Sequence, residues 1–301
     1  MEEFINYKWN DSNKIKETLE RLKKTDWSHK LFDSIINEFR EGLGQLPIFC
    51  ITLKKDQYLC KARINGNKPP FNYLHEISII PDEFVKSFGR ANLPGQGIFY
   101  CSNLPETAVR EVTQWHINDT NTLLSKKIIN IDWNQHAQII TTSLWKVKED
   151  LNLASLLFHD NATINNELFK MFHDSLYIED SEVARSKKEI LEFFSREFAR
   201  SDIKNQFDYI FSAYYAYEMY NYSNSTKEID GLVYSSVANQ YEGENFALTK
   251  EALRKLEFKT AFLNYTFNSD KSPINGQRTR ISDIKKVSQF SNDGKLTWED
   301  C

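Results

Sequence analysis

Long apolar runs, paired cysteines and a strong net charge are all missing from this chain of 301 residues. No apolar run approaches the roughly 18 to 20 residues that span a bilayer, so no membrane helix is expected. The first ten residues, MEEFINYKWN, lack the basic-then-apolar order of a secretion signal. Only four cysteines occur (Cys50, Cys60, Cys101 and Cys301), with no CxxC pair and no metal-ligand spacing. Free thiols in a reducing cytoplasm are therefore expected, rather than a disulfide framework or a structural zinc. The net charge of −4 offers no global attraction for nucleic acid or an anionic membrane. No repeat or low-complexity tract is evident. What the chain has in quantity is aromatic residues, at 14%, and most of these are assigned to a core.

Residues 11 to 43 place Ile15, Leu19, Leu22, Leu31, Phe32, Ile35, Ile36 and Phe39 at helical spacing. Trp27-Ser28 interrupts the pattern, and Gly42 with Gly44 ends it. The lysines among them alternate with acids, as on a solvated helix face. Tyr58 to Ile64, YLCKARI, alternates as a strand, and NGNKPPFNY after it is a loop. Lys127 to Trp133 is another expected strand, and Ala137 to Thr141 a short one. From about 150 to 222 the pattern reads as helical, with aromatics every three or four residues in ILEFFSREFAR and FDYIFSAYYAYEMY. Asp230 to Val237 is an apolar strand ending in Ser235 and Ser236. A loop through Asn245 follows, then a short helix, ALTKEALRKL, and a late strand over Ala261 to Phe267. The last thirty residues suggest one hairpin, at ISDIKKV and KLTW. Strands separated by helices and loops predict a mixed α/β or α+β domain rather than a sandwich.

The most informative stretch is GRANLPGQGIFYCSNLPETAVREV, Gly89 to Val112. It reads as a turn-rich loop holding Arg90, a buried strand over Ile98 to Cys101, and a helix capped by Asn103. Pro105 is tolerated in the first turn of that helix, and Glu106 is placed to complete a capping box. The helix directs Ala108, Val109, Val112 and Trp115 towards a core, with Glu111 on the flank of that face. Taken singly, these residues have ordinary structural readings. Arg90 and Glu111 can form a buried ion pair, Tyr100 can be core, and the two serines can satisfy backbone groups.

Taken together, the order and spacing resemble the signature of the RES domain. GRANLPG is followed by Tyr100 ten residues after Arg90, and by Glu111 eleven residues after that. Tyr234-Ser235-Ser236-Val237 follows, with Gly243 and then Asn245 nine residues past Ser236. Ser235 stands where the family has proline, and the spacing favours Ser236 as the functional serine. The match covers about residues 58 to 267. It divides the chain into an N-terminal helical segment, 1–46, and a RES-like NAD-binding catalytic domain, 47–301, with a helical insert over about 150–225.

The resemblance implies an α+β fold, a mixed sheet of ADP-ribosyltransferase-like type flanked by helices. It implies a toxin or effector that consumes NAD by cleaving the nicotinamide–ribose bond, through hydrolysis or phosphorolysis and without a metal. Glu111, Arg90 and Ser236 would be catalytic, and Arg63, Arg90, Tyr100, Ser236 and Asn245 would bind NAD. A guanidinium suits a pyrophosphate, and a carboxylate suits the positive charge that develops on the ribose. A separate antitoxin or regulatory protein is the partner implied, with self-association left open. Transfer of ADP-ribose to a protein uses the same residues. A nuclease of the HEPN type, resting on Arg110 and His116, and a silent nucleotide-binding module are the remaining alternatives. His116, five residues after Glu111, falls on a different helix face and reads as structural, and His159 and His173 have no partners at metal-ligand spacing.

Overall fold

The computed structural model describes residues 10–30, 32–65, 70–113, 138–156, 181–224, 227–238, 243–269 and 278–301. The chain opens with the expected pair of helices, α1 (Ser12–Lys23) and α2 (Phe32–Leu43). Asp11 caps α1 by accepting from the Lys14 N–H at 2.9 Å. Gly44, at φ 70°, ends α2 in the left-handed conformation that glycine adopts without strain. Trp27 lies between the helices as a core residue, its ring 5.3 Å from that of Phe39 and 6.4 Å from that of Phe211.

Ten strands form one mixed sheet. In chain order they are β1 (Cys50–Leu53), β2 (Tyr58–Ile64), β3 (Phe99–Ser102), β4 (Gln138–Val147) and β5 (Leu151–Leu156), then β8 (Gly231–Ser235), β9 (Glu244–Leu248), β10 (Leu256–Ser269), β11 (Arg278–Phe290) and β12 (Leu296–Asp300). A separate ribbon pairs β6 (Ser223–Asn224) with β7 (Lys227–Glu228). The spatial order is β1-β5-β8-β9-β3-β2-β4-β10-β11-β12. Only β5 and β8 run parallel; the other neighbours are antiparallel. Three further helices complete the described fold: α3 over 105–113, α4 (Glu182–Phe198) and α5 (Ile210–Tyr220). Among the described residues no helix is long and apolar enough to cross a membrane.

Alternation along the strands builds two large cores, with a third, smaller cluster under α3. Ala154, Leu156, Leu232, Tyr234 and Ala247 face a layer made by α1, α2, α4 and α5. Their neighbours Leu153, Val233, Phe246 and Leu248 face the other side, with Phe99, Cys101 and Trp145. No long helix covers that second face among the described residues. Phe71, Leu74, Ile77 and Ile79 of the loop after β2 pack there instead. The 1–46 boundary falls between α2 and β1, but the helical pair shares its core with α4 and α5. Polar ties reinforce the docking: the Ser12 N–H donates to Glu182 at 2.7 Å, and Arg40 pairs with Glu218 at 2.9 Å.

Several expectations need correction. The span 150–225 is not wholly helical, because it begins with β5, a strand inside the sheet. Leu151, Leu153, Ala154 and Leu156 are all buried, so this strand is covered on both faces and shows no clean alternation. The helix expected at ALTKEALRKL is strand β9 followed by one short 3₁₀ turn, Ala252–Lys255. Asn103 does not cap α3; its side-chain oxygen accepts from the Glu244 N–H at 2.9 Å, which ties α3 to β9. Leu104 precedes the helix, and Pro105 takes the first helical position, where its missing N–H costs nothing. The short strand at 137–141 extends to Val147 as β4, and the late strand and terminal hairpin are β10, β11 and β12. The strand expected at 127–133 lies outside the described residues.

A candidate ligand site at a seam in the sheet

The site is created by a pairing that stops early. β2 pairs with β4 along its whole length, from Tyr58↔Lys146 to Ile64↔Ile140, and β3 pairs with β9 from Phe99↔Leu248 to Ser102↔Asn245. Between β2 and β3 the only register pair is Cys60↔Ser102. Past it the two strands part, and a cavity of about 550 Å³ occupies the seam. Its wall includes consecutive residues of β2, Lys61 to Ile64, and of β3, Tyr100 to Ser102. Consecutive strand residues point to opposite faces, so the cavity opens between strands rather than lying over one face. The volume is within the usual range for small-molecule pockets.

Helix α3 supplies the acid. Ala108 and Val109 are buried against Cys60, Ala62 and Ile140, which holds the helix across the seam. That packing sets Glu111, half-buried, on the cavity wall. Its Oε1 accepts from Ser236 Oγ at 2.6 Å and from Asn245 Nδ2 at 2.6 Å. Asn245 Oδ1 in turn accepts from Ser102 Oγ at 2.7 Å, which fixes the amide's orientation. Ser102, Asn245 and Ser236 are all buried. Four residues from β3, β9, α3 and the turn after β8 are thus linked in one continuous chain of hydrogen bonds, with Glu111 joined to it through Oε1. Ser236, not Ser235, is the serine that meets Glu111, because β8 ends at Ser235 and the next residue turns towards α3. Gly243 permits α3 to lie this close to the start of β9: a Cβ there would lie 2.2 Å from Thr107 Oγ1 in the first turn of α3.

The loop before β3 supplies the aromatic and one cation. Tyr100 lines the cavity, and its hydroxyl accepts from the Ala91 N–H and donates to Asn92 Oδ1, both at 2.8 Å. The same hydroxyl therefore folds the loop back on its own strand. Burial pushes it well above the ordinary tyrosine range, so it stays protonated. Arg90 also lines the cavity, with its guanidinium stacked 5.4 Å from the centre of the Tyr209 ring. It donates through Nη1 to the Phe198 carbonyl and through Nη2 to the Arg200 carbonyl at 3.0 Å. Those carbonyls end α4, where the helix dipole favours a cation. Among the described residues no ion pair joins Arg90 to Glu111, so the structural reading of that pair fails. Arg63 reaches the cavity from β2, donates to the Glu76 carbonyl and lies over the Phe71 ring at 5.3 Å.

Five of the six residues singled out by sequence therefore line one cavity: Arg63, Arg90, Tyr100, Glu111 and Asn245. Ser236 stands directly behind Glu111. Sequence reasoning missed Lys61, Ser102, Tyr209 and Tyr234 on the same wall or network. Tyr209 belongs to an aromatic run that reads as core, Tyr234 reads only as part of the Tyr-Ser-Ser-Val strand end, with no role of its own, and Lys61 lies in a strand whose alternation gave no hint of a gap beside it. Burial raises the Cys60 thiol to about 11 and pushes Cys101 higher still, so neither is a nucleophile at neutral pH. Arg110 pairs with Glu106 at 2.6 Å, one turn back along α3. His116, His159 and His173 lie outside the described residues. Among the described residues no cluster of three or more His, Cys, Asp or Glu could hold a metal ion.

Comparison with protein-family models, with curated proteins and with solved structures finds no match for this chain.

Proposed function

We propose that this chain is an NAD-degrading enzyme of the RES type, built on a sheet of ADP-ribosyltransferase-like kind. One observation carries the reading: Ser236 and Asn245, from separate parts of the chain, converge on one oxygen of Glu111 in a cavity shared with Arg63, Arg90 and Tyr100. In the proposed reaction the bond between nicotinamide nitrogen and ribose carbon breaks. Its electron pair leaves with nicotinamide, which departs neutral, and positive charge develops on the ribose. Glu111 is the carboxylate that stabilises that charge. Ser236 and Asn245 hold it in one orientation, so little reorganisation is needed as the charge appears. Water or phosphate then adds to the ribose carbon and loses a proton; a protein nucleophile in that place would make the enzyme an ADP-ribosyltransferase. Arg90 and Arg63 are suited to the pyrophosphate, and Tyr100 offers an aromatic face. The reading carries with it a cytoplasmic setting, and a restraining partner chain that covers the cavity. The nuclease alternative would rest on Arg110, which pairs with Glu106, and on His116, which lies outside the described residues.

Glu111→Gln tests this. The glutamine oxygen can still accept from Ser236 and Asn245, so folding and NAD binding should change little. Nicotinamide release should fall by about a hundredfold or more, equivalent to about 3 kcal/mol of lost transition-state stabilisation. Release and melting temperature of the two purified proteins are compared, with product analysis separating ADP-ribose, its phosphate ester and modified protein. Equal release rates would remove Glu111 from catalysis, and a wild type inert towards NAD would overturn the reading.

A further inference from the structure

β2 carries a cation into the seam without a carboxylate beside it. Lys61 is only 8% exposed, yet it forms part of the cavity wall. Its ammonium donates to the Tyr100 carbonyl at 3.0 Å and sits 4.9 Å from the centre of the Phe99 ring. That carbonyl belongs to the stretch of β3 where pairing with β2 has ceased, so the lysine occupies the gap in the sheet. Among the described residues no Asp or Glu pairs with it. The charged residue that acts on it is Arg63, a like charge two positions along the same strand.

Enclosing an ammonium costs several kcal/mol unless a counter-charge or a full set of acceptors compensates. One carbonyl and one aromatic face compensate in part; an ammonium has three donors, and only one is engaged among the described residues. The cavity wall as a whole carries Lys61, Arg63 and Arg90 against a single carboxylate, Glu111, whose Oε1 already accepts two hydrogen bonds. An enclosed wall with more positive than negative charge concentrates anions. We propose that the seam beside Lys61 is an anion-binding subsite that takes a phosphate or pyrophosphate group, with Lys61 as the residue that grips it. The subsite lies in the same cavity as the NAD reading, but it does not require that NAD be the ligand or that any bond be cleaved.

Burial holds the Lys61 ammonium at about 8, below an ordinary lysine; the Cys101 thiol acts against that lowering and Arg63 adds to it. Facing the seam from the other elements are Glu111 of α3, Arg90, Tyr209 and Tyr234. Both tyrosines are raised by burial and stay neutral through this range. An anion bound at Lys61 should therefore draw a proton onto it as pH rises past about 8.

Sulfate is the probe, because it stays doubly charged throughout. Its binding is measured by titration calorimetry at pH 7 and pH 9, in two buffers of different ionisation enthalpy. Wild type should bind about tenfold more weakly at pH 9 and take up close to one proton per sulfate there. Lys61→Met should lose tenfold or more in affinity and all of the proton uptake, with no fall in melting temperature, since it removes a buried charge. Lys61→Arg should keep binding at both pH values. If Lys61→Met fails to fold, the wild-type pH dependence and the arginine variant decide. Equal sulfate binding by wild type and Lys61→Met, pH-independent binding by wild type, or none at all would overturn the proposal. Sulfate binding of the expected kind by a protein that leaves NAD intact would support the subsite while removing the NAD reading. NAD cleavage with the same KM in Lys61→Met, and no inhibition by sulfate, would remove the subsite alone.

Discussion

Asn245→Asp puts the central network under a defined electrostatic load. The aspartate keeps an oxygen for Ser102 Oγ, now 2.7 Å from Oδ1, but replaces the amide donor by a second oxygen 2.6 Å from Glu111 Oε1. Two carboxylates at that distance repel by about 6 kcal/mol at an effective dielectric constant near 20. Sharing one proton avoids this. At pH 7 its cost is about 1.4 kcal/mol for each of the roughly three units above the unfolded carboxyl value, or about 4 kcal/mol. The smaller cost wins, so the pair holds one proton at neutral pH. The folded variant then binds a proton that the unfolded chain has released, and its stability must fall as pH rises above about 4. Relative to wild type, the melting temperature should be nearly unchanged in the acid range and lower by on the order of 10 °C at pH 7. Asn245→Ala is the uncharged control, with a deficit that does not depend on pH. Melting curves from acid to neutral pH for the three proteins make the comparison. A constant deficit in Asn245→Asp would mean that residues 245 and 111 are not neighbours, and the site described here would be wrong.

Two further substitutions test how the surrounding elements hold the network. Gly243→Ala would drive a methyl to 2.2 Å from Thr107 Oγ1; it should cost about 1 to 3 kcal/mol and be partly rescued by Thr107→Ala, both read from denaturant melts. Arg90→Ala removes the contacts to the Phe198 and Arg200 carbonyls and to Tyr209, so it should lower stability by about 1.5 to 3 kcal/mol and NAD affinity about ten- to a hundredfold. Arg90→Lys should restore neither, since a point charge cannot bridge two carbonyls; an unchanged melting temperature in Arg90→Ala would show that the tie to α4 contributes nothing.

The sequence was most legible where one period ruled a segment. YLCKARI has the alternation of a strand and spans Tyr58–Ile64 as read, and the N-terminal helices break at Trp27 and stop at Gly44. It was least legible where both faces of a strand are covered. In β5 and β9 almost every side chain is buried, so the polar half of the pattern is gone and length alone cannot separate strand from helix. Asn103 has the right type and place for a cap but is captured by Glu244, a residue 141 positions away. The meeting of Glu111, Ser236 and Asn245 was suggested by spacing matched to a resemblance, and the geometry brings the three together. The cost of burying Lys61 had no signal at all. A lysine in a strand is ordinarily solvated on one face, and only the early end of the β2–β3 pairing places this one inside.

That early end also explains why α4 and α5 are part of the site rather than decoration on it. Where two strands part, backbone groups lose ladder partners and the gap needs walls. Lys61 satisfies one such carbonyl from within. From outside, the end of α4 receives Arg90, and Tyr209, just before α5, stacks on that guanidinium. At the other end of α5 the hydroxyl of the partly buried Tyr220 lies 3.1 Å from the Ala91 carbonyl and 3.3 Å from that of Ala247. The loop 89–92 is thus held at Arg90 by the end of α4, at Ala91 by α5 and Tyr100, and at Asn92 by Tyr100, so each of three consecutive residues is tied down. A loop fixed that closely has little freedom left to lose when a ligand arrives, which favours binding without adding any contact to the ligand. Helices α4 and α5, with the N-terminal pair sharing their core, therefore act on the cavity through geometry, by fixing where Arg90 can be.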